Sequence, residues 1–263
     1  MKRIDLIQVE HNRKIGAVCE YINPNITEDS IFYAEGEPIG FYMTKMPDKM
    51  CKLADLADAE FNSKNVPKSN LDRKPTDGFD EEKGIWKYKN IVTQMSTILG
   101  SVPPKPHMRR PYPTRSSVHS VKSANTFIKA MLLLAKESEG LIKEILPNQY
   151  EQQVQLFQDV DKQWKFGNLF TSSISNYNIS APFHRDTGNI KGAVNVIICK
   201  KHNSKGGDLH VPDYGVTIGQ KDNSILVYPA WRNVHAVTPI MPTHEGGYRN
   251  SLIFYPLKAF KGI

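Results

Sequence analysis

The chain has 263 residues, 40% hydrophobic and 23% charged, so it can bury a substantial core and lacks the composition of a disordered protein. Lys and Arg outnumber Asp and Glu by 34 to 27, a net charge of +7 that favours polyanionic partners without requiring them. Three scattered cysteines without a CxxC pattern, and no apolar run near the ~20 residues of a membrane helix, lead us to expect an intracellular globular protein.

The sequence pattern of residues 1–120 predicts an N-terminal α+β region that packs on the rest of the chain. The segment SIFYAEGEPIGFYMT (30–44) is strand-like, and MCKLADLADAEFNSK (50–64) repeats apolar side chains at helical spacing. The segment SVPPKPHMRRPYPTRSSVHS (101–120) holds five prolines, four cations and no acidic residue. Because proline fixes φ and disfavours helix at the residue before it, we predict that this basic segment is extended.

The sequence pattern of residues 121–263 predicts a helical buttress, that is, helices packed against the core, followed by a β-rich core. SANTFIKAMLLLAKESEGLIKEIL (123–146) has an apolar stripe and ends before Pro147, so it predicts an amphipathic helix, with a shorter helix through about residue 157. From about residue 165 onward, short runs rich in Val, Ile and Tyr alternate with Gly, Asn, Asp and Pro. Short strands at this spacing indicate a sandwich, barrel or jelly roll rather than a parallel α/β sheet.

The segment APFHRDTGNIKG (181–192) is a candidate metal site. If residues 183–187 are extended, His184 and Asp186 project to the same face. We expect the third ligand to be His235, which opens an apolar strand, and rank His210 below it. Two histidines and one carboxylate with three open positions are typical of non-haem Fe(II) oxygenases. The alternative is that His184 and Asp186 only hydrogen-bond across a turn.

A candidate cosubstrate site follows in RNSLIFYPL (249–257). Strand alternation puts Arg249, Ser251 and Tyr255 on one face. The arginine fork matches a carboxylate, and hydrogen bonds to charged groups contribute about 1.5–3 kcal/mol, so this face suits a dicarboxylate such as 2-oxoglutarate. A structural salt bridge is the alternative role for Arg249.

Three motifs in order, HRDTGNIKG, HAVTPI and RNSLIFYPLKAF, span about eighty residues from 181 to 260. Together they resemble the TET/JBP family of Fe(II)- and 2-oxoglutarate-dependent dioxygenases, which oxidise the 5-methyl group of pyrimidines in DNA. IGFYM (39–43) and VPKSNLDRK (66–74) resemble bacteriophage-type members. The resemblance implies an α+β fold, with a double-stranded β-helix (jelly-roll) core, buttressing helices and an N-terminal α+β extension.

The resemblance also implies a mechanism and its residues. Fe(II) would be held by His184, Asp186 and His235, and 2-oxoglutarate by Arg249 and Ser251, with O2 as the second cosubstrate. The sequence therefore predicts a dioxygenase that hydroxylates a methylated pyrimidine in DNA, in the cytoplasm of a bacterial or phage-infected cell. The alternatives are a dioxygenase acting on a protein side chain, RNA or a small molecule, and a non-catalytic DNA-binding relative.

Substrate residues follow from the same resemblance. Asn189 would contact the target base and Tyr255 would stack on it. The resemblance favours 5-methylcytosine as the target base. Leu257 and Gly188 stand where TET enzymes carry histidines, so thymine, as in the JBP branch, stays an alternative. Without a role in binding, Asn189 would only favour a turn with positive φ and Tyr255 would only fill the core.

The basic segment is the predicted contact for DNA phosphates. Its cations are Lys105, Arg109, Arg110 and Arg115, assisted by Lys64, Lys68, Arg73 and Lys74. Each phosphate contact steepens the dependence of log K on log salt by about 0.9 on B-DNA. A solvated surface loop is the alternative reading of these side chains.

Overall fold

A computed structural model describes residues 1–71, 79–80, 85–86 and 93–263. Its helices are α1 (Asp48–Asn62), α2 (Asn125–Ile145) and α3 (Pro147–Leu156). Its strands are β1 (Lys2–Asp5), β2 (Ser30–Ala34), β3 (Glu37–Met43), β4 (Ser69–Asn70), β5 (Phe79–Asp80), β6 (Ile85–Trp86), β7 (Met95–Val102), β8 (Thr114–Arg115), β9 (Ser172–Tyr177), β10 (Ala181–His184), β11 (Asn195–His202), β12 (Ser204–Gly206), β13 (Leu209–Val211), β14 (Val216–Ile218), β15 (Ser224–Tyr228), β16 (His235–Val237), β17 (Ile240–Pro242) and β18 (Tyr248–Tyr255).

Two sheets form the core of the protein. The larger has the strand order β1-β2-β3-β15-β11-β18-β9-β7-β4, with β8 also paired to β7, and the smaller has the order β10-β16-β13-β14. Side chains from both sheets line one cavity between them. This arrangement is the double-stranded β-helix, or jelly roll, that the sequence predicted.

The helices cover the other face of the large sheet. Phe61 of α1 and Phe127 of α2 share one apolar cluster with Leu252 and Phe254 of β18. The buried positions of α2 recur every three or four residues, which makes one helix face apolar. Burying each such side chain contributes about 1.5–3 kcal/mol, so this cluster anchors the strands that carry the site.

The predicted helices are confirmed with small shifts in their bounds. α1 begins two residues before the predicted start, and α2 ends before Pro147, which opens α3 at a position where its missing N–H is not needed. The division of the chain at residue 120 stays a prediction. Strands from both sides of that point hydrogen-bond within one sheet, because β3 pairs with β15 and β7 pairs with β9.

The prediction that residues 101–120 are extended is wrong in part. β7 runs into the segment and pairs with β8, and short 3-10 turns occupy Pro106–Met108 and Ser117–Ser120. Between them the chain folds back, with Arg109 at a φ of 57° and a backbone bridge joining Lys105 to Arg110. The φ that proline imposes is also compatible with a 3-10 turn, so the prolines did not enforce extension.

Within the described ranges, no helix is long and apolar enough to cross a membrane.

Candidate active site

Three side chains with metal-ligating atoms meet at one end of the cavity. Ligand atoms of His184, Asp186 and His235 all lie within 4.8 Å of one another. His184 Nε2 is 3.5 Å from Asp186 Oδ1, and the two imidazole centroids are 4.3 Å apart. β10 and β16 pair antiparallel with His184 opposite His235, so the sheet itself joins residues that are distant in sequence.

The backbone orients both imidazoles for metal binding. His184 Nδ1 donates to Pro182 O at 2.7 Å, and His235 Nδ1 donates to Asn233 O at 3.1 Å. With the proton on Nδ1, each Nε2 keeps a lone pair for a metal. Burial, together with the neighbouring His184 ring, lowers the pKa of His235 and favours the neutral form that a metal requires.

Asp186 reaches the cluster from a loop and not from a strand. β10 ends at His184, so Asp186 does not lie on the same strand as His184. The loop is held by a hydrogen bond from Asp186 N to Ala230 O at 3.2 Å. Asp186 Oδ2 accepts from Asn195 Nδ2 at 3.2 Å and from Asn189 Nδ2 at 3.4 Å. Oδ1 is left on the side of the histidine cluster, 3.5 Å from His184 Nε2.

Asn195 is a residue of the site that the sequence reasoning missed. It opens β11 on the cavity face, opposite Tyr228, and its Oδ1 accepts from Asn189 Nδ2 at 2.8 Å. The strand alternation of β11 could have placed it on this face. Its link to Asp186 depends on a loop whose path the sequence does not reveal.

Arg249 is buried at the other end of the cavity and has no counterion in the described part of the chain. Only 3% of it is exposed, and Nε has no hydrogen-bond partner among the described residues. No carboxylate of the described chain lies within ion-pair distance, so the alternative of a structural salt bridge is not what the structure contains. An unpaired buried charge costs several kcal/mol, which a bound carboxylate offsets. The donor set therefore fits a dicarboxylate here and Fe(II) at the histidines.

The cavity connects these two ends. Its volume is about 360 Å³, within the range of small-molecule sites. The alternation predicted for β18 is confirmed, because the cavity is lined by Arg249, Ser251, Ile253 and Tyr255. Ser251 Oγ makes one long hydrogen bond, 3.4 Å to Asn176 O, so the hydroxyl keeps capacity for a ligand.

The two candidate base-contacting residues line the same cavity. Burial, with the Asp186 carboxylate nearby, raises the pKa of Tyr255. Among the described residues Asn189 is not at a positive φ, so the turn explanation for this asparagine does not apply. Gly188 and Leu257 are neighbours, since a Cβ at residue 188 would lie 3.8 Å from Leu257 Cδ2.

His210 is separate from the metal cluster. Its Nδ1 lies 2.9 Å from Thr217 Oγ1, and its ring packs edge-on against Phe183. It sits opposite Ala236 in the sheet, on the other face from His235. His210 ranks below His235 as a candidate metal ligand, and its ring lies on the face of the sheet opposite to that of His235.

The basic segment forms part of a second cavity of about 510 Å³. Four cations line it: Lys68, Lys105, Arg110 and Arg115. Arg110 Nη2 donates to Pro103 O at 2.5 Å and Lys68 Nζ to Ser63 O at 2.5 Å, so backbone carbonyls hold both side chains. Arg109 is exposed outside this cavity and Lys64 does not line it. Arg73 and Lys74 lie outside the described residues.

A jelly roll with two histidines and a carboxylate at one end of its cavity and a buried arginine at the other defines an Fe(II)- and 2-oxoglutarate-dependent oxygenase. The family model Tet_JBP, the oxygenase domain of the 2OGFeDO superfamily, matches residues 103–258, more than half of the chain, and the chain belongs to this family. The protein is thus a dioxygenase that uses Fe(II), 2-oxoglutarate and O2.

The chain is similar to several solved structures. The chain is similar to NgTET1 in complex with 5mC DNA, with a TM-score of 0.56, 13% identity, and coverage of 95% of this chain and 84% of that one. A 2OG-Fe(II) oxygenase family protein from Caulobacter crescentus has a TM-score of 0.47, 12% identity, and coverage of 83% and 77%. An oxidoreductase of that family from Burkholderia pseudomallei has a TM-score of 0.43, 10% identity, and coverage of 82% and 84%. No curated protein sequence matches the chain.

These comparisons confirm the family, the fold class and the cofactors that the sequence predicted. The roles of the individual site residues stay predictions, as does the bacteriophage type.

Proposed function

We propose that this dioxygenase hydroxylates the 5-methyl group of a pyrimidine in DNA, with 5-methylcytosine favoured over thymine. In this proposal His184, Asp186 and His235 hold Fe(II). Arg249 and Ser251 hold 2-oxoglutarate. The observation that carries the proposal is one cavity shared by the metal cluster, Arg249, Asn189 and Tyr255 in a chain of this family.

Bound Fe(II) with 2-oxoglutarate and O2 supplies an oxidant that hydroxylates an aliphatic C–H bond. The protein contributes placement. Asn195 and Asn189 fix Asp186, the carbonyls of Pro182 and Asn233 fix the imidazoles, and Arg249 sets the orientation of the cosubstrate. Apolar residues of the cavity, including Ile253 and Val237, limit water near the reacting methyl group.

The dimensions of the cavity support a single extruded base. A volume of about 360 Å³ suits one pyrimidine beside the cosubstrate and excludes a duplex. Extrusion from a duplex costs a few kcal/mol. Stacking on an aromatic ring returns about 1–3 kcal/mol per base, and Tyr255, which lines this cavity, is the ring that we propose for it. NgTET1 has this fold and was solved with 5mC DNA, which supports DNA as the substrate class.

The orientation of Asn189 supports cytosine. A carboxylate only accepts hydrogen bonds, so the Nδ2 of Asn189 must face Asp186, as it does at 3.4 Å. Its Oδ1 is then available to accept from a donor. Cytosine presents an exocyclic amino donor at the edge where thymine presents an O4 acceptor. Gly188 and Leu257 offer no side-chain hydrogen bond that would reverse this preference.

The basic cavity supports contact with the DNA backbone. Lys68, Lys105, Arg110 and Arg115 line it, and no acidic side chain of the described residues is part of its lining. Arg109 lies exposed on the same segment. Cations in a concave surface suit phosphate binding and make affinity depend on salt concentration.

The test is mass spectrometry of nucleosides from digested DNA after incubation with Fe(II), 2-oxoglutarate and O2. The expected product is 5-hydroxymethylcytosine from 5-methylcytosine templates, with thymine templates run in parallel. 5-Hydroxymethyluracil instead would reverse the base preference. Unchanged nucleosides from both templates would contradict the DNA proposal. Succinate release without DNA binding would then indicate a protein, RNA or small-molecule substrate, and DNA binding without succinate release a non-catalytic relative.

A further inference from the structure

The side chain of Gln220 lines the same cavity as Arg249, and it is buried without a hydrogen-bond partner in the described part of the chain. Only 2% of the residue is exposed, and neither Nε2 nor Oε1 has a hydrogen-bond partner among the described residues. A buried amide left in this state lowers stability, so it calls for an explanation other than folding. A ligand in the cavity supplies one.

Gln220 lies at the Arg249 end of the cavity. β13 and β14 pair antiparallel with Leu209 opposite Ile218, which brings the residues before Leu209 close to those after Ile218. The hydrogen bond from Gln220 N to Asp208 Oδ1 at 2.8 Å agrees with this alignment. Gly207 in turn contacts Arg249, because a Cβ built at residue 207 would lie 2.2 Å from Arg249 Cδ.

The metal cluster lies at a different level of the same sheet. Continuing the pairing of β13 with β16 sets Val211 level with His235, and Val211 is four residues from Gly207. An extended chain rises by about 3.3 Å per residue and Gly207 is not extended, so the two levels are at most ~13 Å apart. A 2-oxo acid bound at the histidines therefore presents its distal group, and not its 2-oxo group, to Gln220.

The charges at this end leave room for one carboxylate. Lys201 of β11 lies opposite Arg249 of β18 in the register of the sheet. Its Nζ is 3.7 Å from Asp208 Oδ1. Asp208 thus compensates Lys201, whereas Arg249 has no carboxylate partner among the described residues. A neutral amide beside Arg249 can donate a hydrogen bond to an incoming carboxylate without changing this balance.

We propose that Gln220 is a specificity residue for the cosubstrate, donating an Nε2 hydrogen bond to the distal carboxylate of 2-oxoglutarate beside the Arg249 guanidinium. This inference rests on the proposed placement of 2-oxoglutarate against Arg249 and Ser251. It adds to that placement a residue that distinguishes a dicarboxylate from a 2-oxo monoacid.

The test compares two ligands of equal chain length by calorimetry on Fe(II)-loaded protein without O2, so that no turnover occurs. 2-Oxopentanoate has a methyl group where 2-oxoglutarate has its distal carboxylate. Gln220→Leu is expected to weaken 2-oxoglutarate binding about tenfold or more and to leave 2-oxopentanoate binding unchanged. Gln220→Glu is expected to weaken 2-oxoglutarate further, because two carboxylates then face each other. Gln220→Met serves as the second apolar variant if Gln220→Leu does not fold.

A ligand-free measurement gives an independent readout. Without cosubstrate, the melting temperature of Gln220→Leu is expected to equal or exceed that of the wild type, because an unpartnered amide has been removed. The matched control is Gln94→Leu, which removes another buried glutamine with an unpartnered Oε1, outside the cavity. It should leave both affinities unchanged.

Two results would overturn the inference: wild-type affinity of Gln220→Leu for 2-oxoglutarate, or equal losses for both acids, which would indicate a role in cavity shape only. Arg249→Leu separates this failure from failure of the proposed placement. If Arg249→Leu loses more affinity for 2-oxoglutarate than for 2-oxopentanoate, and Gln220→Leu does not, only the role of Gln220 is wrong. If Arg249→Leu loses equal affinity for both acids, or none for either, the proposed placement of 2-oxoglutarate against Arg249 is itself wrong.

Discussion

Gly207 lies against the side chain of Arg249. A Cβ at residue 207 would stand 2.2 Å from Arg249 Cδ and 2.7 Å from Nε, and the φ of this glycine is +71°. The buried guanidinium thus keeps its position because residue 207 has no side chain. Glycine is required here for two reasons, the left-handed backbone and the space for arginine.

The variant Gly207→Ala is therefore expected to displace Arg249 and to raise the KM for 2-oxoglutarate about tenfold, the loss of one charged hydrogen bond. The matched control is Gly246→Ala, since Gly246 has a φ of +72° and nothing within 4 Å of an added Cβ. Both variants are expected to lose about 1 kcal/mol of stability from backbone strain, measured by chemical denaturation. An equal change of KM in both would contradict the role given to residue 207.

Removal of a candidate iron ligand is expected to abolish turnover. His184→Ala, Asp186→Ala and His235→Ala each leave two of the three ligands that converge within 4.8 Å. Succinate release and bound iron, measured together, should both fall to background, while circular dichroism stays that of the wild type. The control is His210→Gln, a buried histidine outside the cluster, which should retain iron. Full turnover in any of the three alanine variants would refute that ligand assignment.

Asn195 is expected to act through Asp186 as a positioning residue. Its Nδ2 donates to Asp186 Oδ2 at 3.2 Å, and Asn195→Ala removes this bond. Loss of a partner that orients a metal ligand typically lowers metal affinity about 10–100-fold. We therefore expect Asn195→Ala to bind Fe(II) about 10–100-fold more weakly than the wild type in an anaerobic titration. Asn195→Asp should bind iron more weakly still near neutral pH, because a second carboxylate cannot donate and repels the first. Better binding by Asn195→Asp than by Asn195→Ala would show that the hydrogen bond is not what matters.

The basic cavity is expected to set the salt dependence of DNA binding. Lys105→Gln and Arg115→Gln each remove one cation of the cavity lining. Each should reduce the slope of log K against log salt by about 0.9 on duplex DNA, with kcat at saturating DNA unchanged. Lys136→Gln removes an equal charge from the exposed face of α2 and should leave the slope near that of the wild type. Equal slopes in all these proteins would assign the segment to a solvated loop.

Local sequence patterns anticipated much of the site because they depend on periods of a few residues. The alternation in RNSLIFYPL put Arg249, Ser251 and Tyr255 on one face, and the structure has these three in the cavity. The apolar stripe of residues 123–146 predicted a helix with its inner face on the sheet. Both patterns follow from the geometry of a single strand or helix.

Contacts between distant segments could only come from the tertiary structure. The path of the loop after His184 turns Asp186 toward Asn195, and the register of β13 with β14 brings Gln220 N to the carboxylate of Asp208, the residue after Gly207. No local period encodes such a register, since it is set by how both faces of two sheets are buried together. In the basic segment the local pattern did not determine the conformation, because its prolines allow a turn as readily as an extended chain. The pairing of β7 with β8 fixes where the segment is extended. The sequence by itself determined which side chains share a face of an element, and tertiary packing decided which faces meet and which polar groups are left for a ligand.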